Sequence, residues 1–382
     1  MAETGTIDGV HLERLPTAGG GDLGIATLDD PGRLNALNLA MVRRLDAALK
    51  DWLADPTIAV ILLRGAGDKA FCAGGDVRGL RDAILAHDAP GPNPAAEAFF
   101  SEEYRLDHRI HTSDKPIVVW GSGIVMGGGL GLLAGARHRV VTETSRIAMP
   151  EVAIGLFPDV GGSWFLRRMP GRCGLFLGLT GVSMGGADAC FTGLADHLLR
   201  AEDATAVVQA LRAITWPAAM AARHDRVHTL LSGFARPDTA PSAVAAHADT
   251  IAALTAGDDL AALHARITGY GGDDPWLQRA ATGLAAGSPT SVALVWALWQ
   301  RCRHMSLAEV FRTELIVALQ CCAHPDFPEG VRALLVDRDR QPQWSPAQLP
   351  AVSDALIDAH FAAPWCAWQN QSHPLADLGL IP

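Results

Sequence analysis

From residue 116 to residue 136 the chain carries no charged side chain, and Gly123, Gly127, Gly131 and Gly135 recur at four-residue spacing. A stretch of this length and character either crosses a membrane as one helix or is buried within a protein. Three successive glycines, at 127, 128 and 129, would weaken a single spanning helix. The stretch therefore reads as a buried strand over 117–120, a glycine-rich turn and a buried helix, and no membrane partner is expected.

Strand and helix patterns alternate around it. Residues 24–28 read as a strand, and Asn38 can cap a helix whose apolar face is Met41, Leu45, Leu49 and Trp52. Residues 60–63 form a continuous apolar run of the kind buried on both faces. A glycine-rich loop follows over 65–75, and residues 139–142 and 146–149 read as shorter strands. Strands separated by helices predict βαβ units and an α/β fold. From about Gly161 the pattern becomes Ala- and Leu-rich with helical spacing, with loops over 233–241 and 269–274. These patterns divide the 382 residues into a core over 1–200 and a mainly helical region over 201–382.

Composition narrows the function classes. With 49% hydrophobic and 19% charged residues the chain can bury a large core. A net charge of −10 without a long basic run makes nucleic acid an unexpected partner. The cysteines at 72, 173, 190, 302, 321, 322 and 366 form no C-x-x-C, so neither a disulfide framework nor zinc is expected. His108 and His111 lack an evident third ligand, and no metal site is expected. The first residues show neither an apolar signal core nor an Arg-rich amphipathic pattern, so a cytoplasmic protein is expected.

The chemistry concentrates in two blocks. Glu151 and Asp159 lie within residues 149–162, downstream of the glycine-rich run 123–129. Bare amides beside paired carboxylates are the parts needed to cleave an activated ester. Each feature also has a plainer reading. Asp159 can cap the helix that follows it. Glu151 can be a solvated loop carboxylate, although Ile147, Met149, Val152, Ile154, Leu156 and Phe157 argue for burial. Glu102 and Glu103 read by pattern as charges on a helix surface. Residues 71–76 alone suggest a tight turn, but together with the second glycine cluster they suggest an oxyanion hole, whose two donors usually come from separate segments. Residues 129–134 fit G-x-G-x-x-A loosely, but the glycines do not turn directly out of the first strand of their unit, so no dinucleotide is expected.

The chain also resembles a known family in Leu34-Asn-Ala-Leu37, Ala70-Phe-Cys-Ala-Gly-Gly-Asp-Val77, Phe99-Phe-Ser-Glu-Glu-Tyr-Arg-Leu106, Lys115-Pro116, Gly123 to Gly131, Met149 to Gly162 and Leu179-Thr-Gly181. The likeness continues in Ser288-Pro-Thr-Ser291, in the block from His324 to Arg332, in Asp337-Arg-Asp339 and in Pro342-Gln-Trp344. These blocks are similar to the crotonase (enoyl-CoA hydratase/isomerase) superfamily and, more narrowly, to its 3-hydroxyisobutyryl-CoA hydrolase branch. The resemblance implies a crotonase-like spiral of ββα turns with a helical C-terminal region, binding an acyl-CoA substrate. It places the oxyanion hole on the amides of Gly75 and Gly128. The second glutamate of the hydratases falls on Glu151 and the first on Gly131, which has no side chain. The hydrolase branch keeps Glu151, adds Asp159 and places Glu103 near the substrate. Arg33 is a candidate for the CoA phosphates.

The activity implied is hydrolysis of 3-hydroxyisobutyryl-CoA, a step of valine breakdown. No cofactor is expected, because CoA is part of the substrate. A homo-oligomer stays open, as do another crotonase-type reaction and a non-catalytic CoA-binding protein. The chain departs from the pattern at Ser122, where relatives more often carry Asp, Asn or His, and over 198–287, where the likeness is faint. A Phe-Ser block that relatives carry is missing around 251–267, which leaves the acyl preference open.

Overall fold

In the computed structural model, which describes residues 6–89, 91–235, 241–365 and 372–379, the charge-free stretch breaks where its glycines predict. It becomes two short strands and a helix. The strands of the described chain are β1 (Thr6–Ile7), β2 (Val10–Pro16), β3 (Asp22–Leu28), β4 (Ile58–Gly65), β5 (Ala70–Cys72), β6 (Ile117–Gly121), β7 (Ile124–Met126), β8 (His138–Thr142), β9 (Arg146–Ala148) and β10 (His197–Leu199). The helices that matter most for the site are α1 (Leu39–Ala54), α2 (Val77–Leu85), α3 (Pro94–His111) and α4 (Gly128–Gly135). Among the described residues no single helix is long and apolar enough to cross a membrane.

A seven-stranded sheet runs in the order β1-β2-β3-β4-β6-β8-β10, and a three-stranded sheet in the order β5-β7-β9. Each of the pairs β4–β5, β6–β7 and β8–β9 gives one strand to each sheet before the chain turns into helix. This repeat is the spiral of ββα turns. From β3 to β10 the neighbours in the large sheet are parallel, whereas β1, β2 and β3 form an antiparallel meander.

By packing, the chain falls into two compact units, each assembled from separated stretches. The first comprises Met1–Gly75, Leu106–Ile147 and Met184–Ala246, and the second Asp76–Arg105, Ala148–Ser183 and His247–Pro382. A division at residue 200 follows the change in sequence character, while the compact units interleave along the chain.

In the first unit, alternate residues of the parallel strands (Leu23, Ile25, Val60, Leu62, Val118, Trp120) form one apolar face. It is covered by helices Ala204–Ala213 and Met220–Phe234 through Val207, Val208, Leu211, Val227 and Leu231. Part of the faintly similar region therefore roofs the sheet. His224 joins this cover to β8, its Nδ1 lying 2.9 Å from His138 Nε2. Burial, reinforced by its neighbour His224, holds the His138 imidazole down at about 3, so the pair is neutral. Helix α1 packs with its Met41, Leu45 and Leu49 buried. Asn38 caps it as expected, its Oδ1 accepting the Met41 N–H at 2.9 Å. Its Trp52 lies so close to Gly24 that a Cβ there would stand 2.8 Å from the indole.

The second unit is helical. Glycines let its backbones cross closely: a Cβ on Gly283 would lie 2.4 Å from Thr180 O. Near the end of the block from His324 to Arg332, the Arg332 guanidinium pairs with Glu329, Asp337 and Asp339 at 2.8, 2.6 and 2.7 Å. These charges form a local ionic hub, screened by solvent and modest in energy.

Candidate active site

Among the buried carboxylates of the second unit are Glu103 at 2%, Glu151 at 5%, Asp159 at 4% and Glu314 at 0% exposure. These values correct one expectation, since Glu103 is not a surface charge of α3, and they agree with the burial that the apolar neighbours of Glu151 argued for. Glu151 opens a single helical turn, Glu151–Ile154. Two glycine contacts clamp that turn against helix Asp326–Val331. A Cβ on Gly155 would lie 2.3 Å from the Asp326 carbonyl carbon, and one on Gly330 would lie 2.4 Å from that of Ile154. Gly155 itself has φ +74°, a conformation glycine adopts without strain. Part of the His324–Arg332 block thus shapes the seat of Glu151.

Asp159 does not cap the helix that follows it. Its Oδ2 accepts the Tyr104 hydroxyl at 2.6 Å, and helix Gly162–Phe165 has no side-chain cap at its first position. The Gly161 and Ser163 amides donate instead to the two oxygens of Glu314, at 2.7 and 2.9 Å. Val160 adopts φ +51° and Gly161 φ +84°. A β-branched residue in the left-handed region is strained, and such residues persist only where their surroundings hold them.

Sequence reasoning missed Tyr104 and Glu314 as site residues. Tyr104 was within a quoted block but carried no assigned role. Glu314 had a readable signal: it falls on the buried face of helix Leu307–Ala323, in step with Val310, Phe311, Leu315 and Ala318. A lone acid in an apolar stripe is costly unless it is bonded.

The cluster is crowded with like charge. Burial pushes the Asp159 carboxyl up to about 6, and the Tyr104 hydrogen bond pulls against it. Burial raises Glu314 to about 8, opposed by the Ser163 amide and reinforced by the charge of Asp159. Burial, with Asp159 adding to it, holds Glu151 and Glu103 well above the usual carboxylate range. Asp159 is therefore the member that ionises most readily, because a hydroxyl stabilises its charge. Glu103 Oε1 and Glu151 Oε2 are buried without a hydrogen-bond partner among the described residues. Orphaned oxygens of this kind are rare in protein interiors and mark groups suited to meeting a substrate or water.

The glycine amides belong to the first unit. Asn35, fully buried, donates to Ala66 O at 3.0 Å and to Ala70 O at 2.9 Å, while its Oδ1 accepts the Asp30 N–H. The loop pinned in this way runs alongside residues 73–75, with Ala73 N–H bonding Leu34 O, Leu37 N–H bonding Gly74 O, and Leu37 bridging Gly75. Gly74, at φ +111°, would place a Cβ 3.5 Å from Met126 O. A Cβ on Gly129 would stand 2.5 Å from Cys72 O. These approaches bring the segments of Gly75 and Gly128 side by side. Gly128 is the first residue of α4, where helix amides have no acceptor within the helix. Arg33 stands on the exposed single turn Pro31–Arg33 of the pinned loop. Gly131 is buried within α4. Ser122 joins a hydroxyl network, 3.1 Å from Thr144 Oγ1 and accepting from Thr142 at 3.2 Å.

Paired strands winding through two sheets, a glycine-lined pair of amide segments and a buried carboxylate cluster agree with what sequence comparison finds. Residues 23–361 match the Enoyl-CoA hydratase/isomerase family, and the chain belongs to that family. Within it, the chain is 39% identical over 345 residues to the mitochondrial 3-hydroxyisobutyryl-CoA hydrolase of Xenopus tropicalis, covering 90% of this chain and 87% of that one. The Homo sapiens protein of the same name is 36% identical over 345 residues, covering 89% and 86%. Among solved structures it is similar to an enoyl-CoA hydratase from Rhodobacter sphaeroides 2.4.1, with 36% identity, a TM-score of 0.77 and coverage of 92% and 97%. A carnitinyl-CoA dehydratase from Mycobacterium thermoresistibile gives 34%, 0.80, 92% and 96%.

These neighbours bear out the crotonase-like α/β fold with its helical C-terminal region. They also correct one expectation. A cytoplasmic location does not stand, because the hydrolase relatives are named as mitochondrial. That expectation rested on the composition of a few residues, which is a weak reporter of compartment.

Proposed function

We propose that this chain hydrolyses a short-chain 3-hydroxyacyl-CoA thioester, foremost 3-hydroxyisobutyryl-CoA, to the free acid and CoA, as in valine breakdown. One observation carries the reading: Glu151 and Asp159 are both buried in one carboxylate cluster, while position 131, where a hydratase would carry its other glutamate, is glycine. In this proposal the thioester oxygen accepts hydrogen bonds from the Gly75 and Gly128 amides. Such donors strengthen as negative charge develops, and each is worth about 3–4 kcal/mol in the transition state. Glu151 attacks the carbonyl carbon, or activates the water that does. Asp159 orients that water or accepts the 3-hydroxyl, Glu103 lines the acyl group, and Arg33 meets the CoA phosphates. The C–S bond breaks, a C–O bond forms from water, and the proton leaves with the CoA thiolate.

A second reading has its own support. The two solved neighbours are named as a hydratase and a dehydratase, at 36% and 34% identity. Turnover of a panel of short acyl-CoAs, following free thiol and loss of crotonyl-CoA absorbance together, separates the two. Hydrolysis releases thiol and leaves crotonyl-CoA unhydrated. Crotonyl-CoA hydration at a rate comparable to thiol release would overturn the proposal.

A further inference from the structure

We infer that Glu314 is a positioning residue for this reaction, holding the Asp159–Ser163 turn in the one conformation that aims the Asp159 carboxyl. The inference rests on the proposed use of Asp159 by the substrate. Three observations carry it. Glu314 has no solvent exposure, and each of its two oxygens is engaged by a different amide of the turn, Gly161 and Ser163. Between those amides and Asp159 lies a backbone that ordinary residues avoid, with positive φ at both Val160 and Gly161. The turn is closed on its other side by the Gly162 N–H, 2.6 Å from the Asp159 carbonyl oxygen. A strained turn with few bonds of its own keeps its shape only if something outside it brackets the flanking amides, and Glu314 does so from helix Leu307–Ala323. An apolar residue would fill this place in the stripe more cheaply. An acid here satisfies two amides at the cost of being buried among acids.

The groups that feel Glu314 are Asp159, Tyr104 and Cys302, from three separate elements. Its oxygens are occupied by main-chain donors, so it acts through Asp159 and not on the substrate.

The test uses Glu314→Gln. An amide offers one acceptor oxygen, and its NH2 faces a second N–H donor, so one bracket is lost at constant size. With 3-hydroxyisobutyryl-CoA, kcat is expected to fall about 10- to 100-fold, the usual scale for misplacing a reacting group by about an ångström, while KM moves much less. The penalty should vanish in an Asp159→Asn background, because both changes act through one carboxyl. Full turnover in folded Glu314→Gln, or penalties that multiply in the double variant, would overturn the inference. If circular dichroism shows Glu314→Gln unfolded, Glu314→Asp enters the same cycle, keeping charge and both acceptors on a shorter arm.

A second readout does not depend on hydrolysis. The chain has two tyrosines, Tyr104 and Tyr270. In a Tyr270→Phe protein labelled at the tyrosine ring carbon that bears the hydroxyl, the single resonance reports the Tyr104–Asp159 hydrogen bond. Glu314→Gln should shift it. An unshifted resonance would sink the positioning role even if the wild-type protein releases no thiol.

Discussion

Burial lifts the Asp159 carboxyl from an ordinary 3.8 to about 6, the Tyr104 hydroxyl notwithstanding. Between those two values the folded chain holds a proton that the unfolded chain has lost. Stability therefore falls as pH rises through that window, and above about pH 6 the folded protein carries the full penalty, on the order of 3 kcal/mol. Asp159→Asn keeps an acceptor for Tyr104 and removes the titration. Its melting temperature should exceed that of the wild type at pH 8 and converge with it below about pH 4, while turnover falls to a lower but measurable rate. A lower melting temperature at pH 8 would show that the carboxylate stabilises the fold. Kinetics add a second expectation. The Asp159→Asn penalty should be larger for 3-hydroxyisobutyryl-CoA than for isobutyryl-CoA, which lacks the hydroxyl, and equal penalties would remove hydroxyl binding from its role. Glu151→Gln should lower kcat by at least ~100-fold, the scale of a lost general base, with an unchanged circular dichroism spectrum. At this scale the sequence was legible where a residue sat in a dense motif, as Glu151 and Asp159 do. It was misleading for Glu103, because neighbouring acids on a helix look alike until another segment covers one of them. Glu314 was legible only as a lone acid in an apolar stripe, and its role was not, because its partners, the amides of Gly161 and Ser163, lie far away in the chain.

At the scale of elements, α4 joins glycine content to chemistry. Gly128 is its first residue, a place where proline is tolerated because that amide lacks a helical acceptor anyway. Gly128→Pro should therefore leave the far-ultraviolet circular dichroism intact while removing one of the two proposed oxyanion donors. A loss of about 100- to 1000-fold in kcat is expected, and near-normal turnover in the folded variant would exclude Gly128 from the hole. Gly129→Ala fails differently. Its methyl group would meet the Cys72 carbonyl, so α4 or β5 must move and melting temperature and turnover should drop together. The sequence showed α1, β3, β4, β6 and β8 well, since each is long enough for a cap or an apolar run. It did not show β5, β7 or β10. At three residues each, these strands have no usable period, and pairing with sequence-distant partners defines them.

For the whole molecule, the interleaved units make a concrete claim about where the chain can be cut. A fragment of residues 1–200 retains every strand of the large sheet but loses the helices that bring Val207, Val208, Leu211, Val227 and Leu231 onto Leu23, Ile25, Val60 and Leu62. It also retains residues 76–105 and 148–183 without the remaining stretch of their unit, His247–Pro382. The fragment should be aggregation-prone, binding a hydrophobic dye and lacking a cooperative melt. A soluble fragment with a sharp transition would restore a boundary at residue 200. The order of the strands has a further consequence during synthesis. The apolar face of β3, β4, β6 and β8 is assembled early, but its cover ends only at Phe234, and at ribosomal speed the stretch from Thr142 to Phe234 takes on the order of ten seconds to emerge. For that interval the nascent chain exposes a wide, sticky parallel sheet, so its yield in a cell should depend on chaperone capture more than on the stability of the finished enzyme.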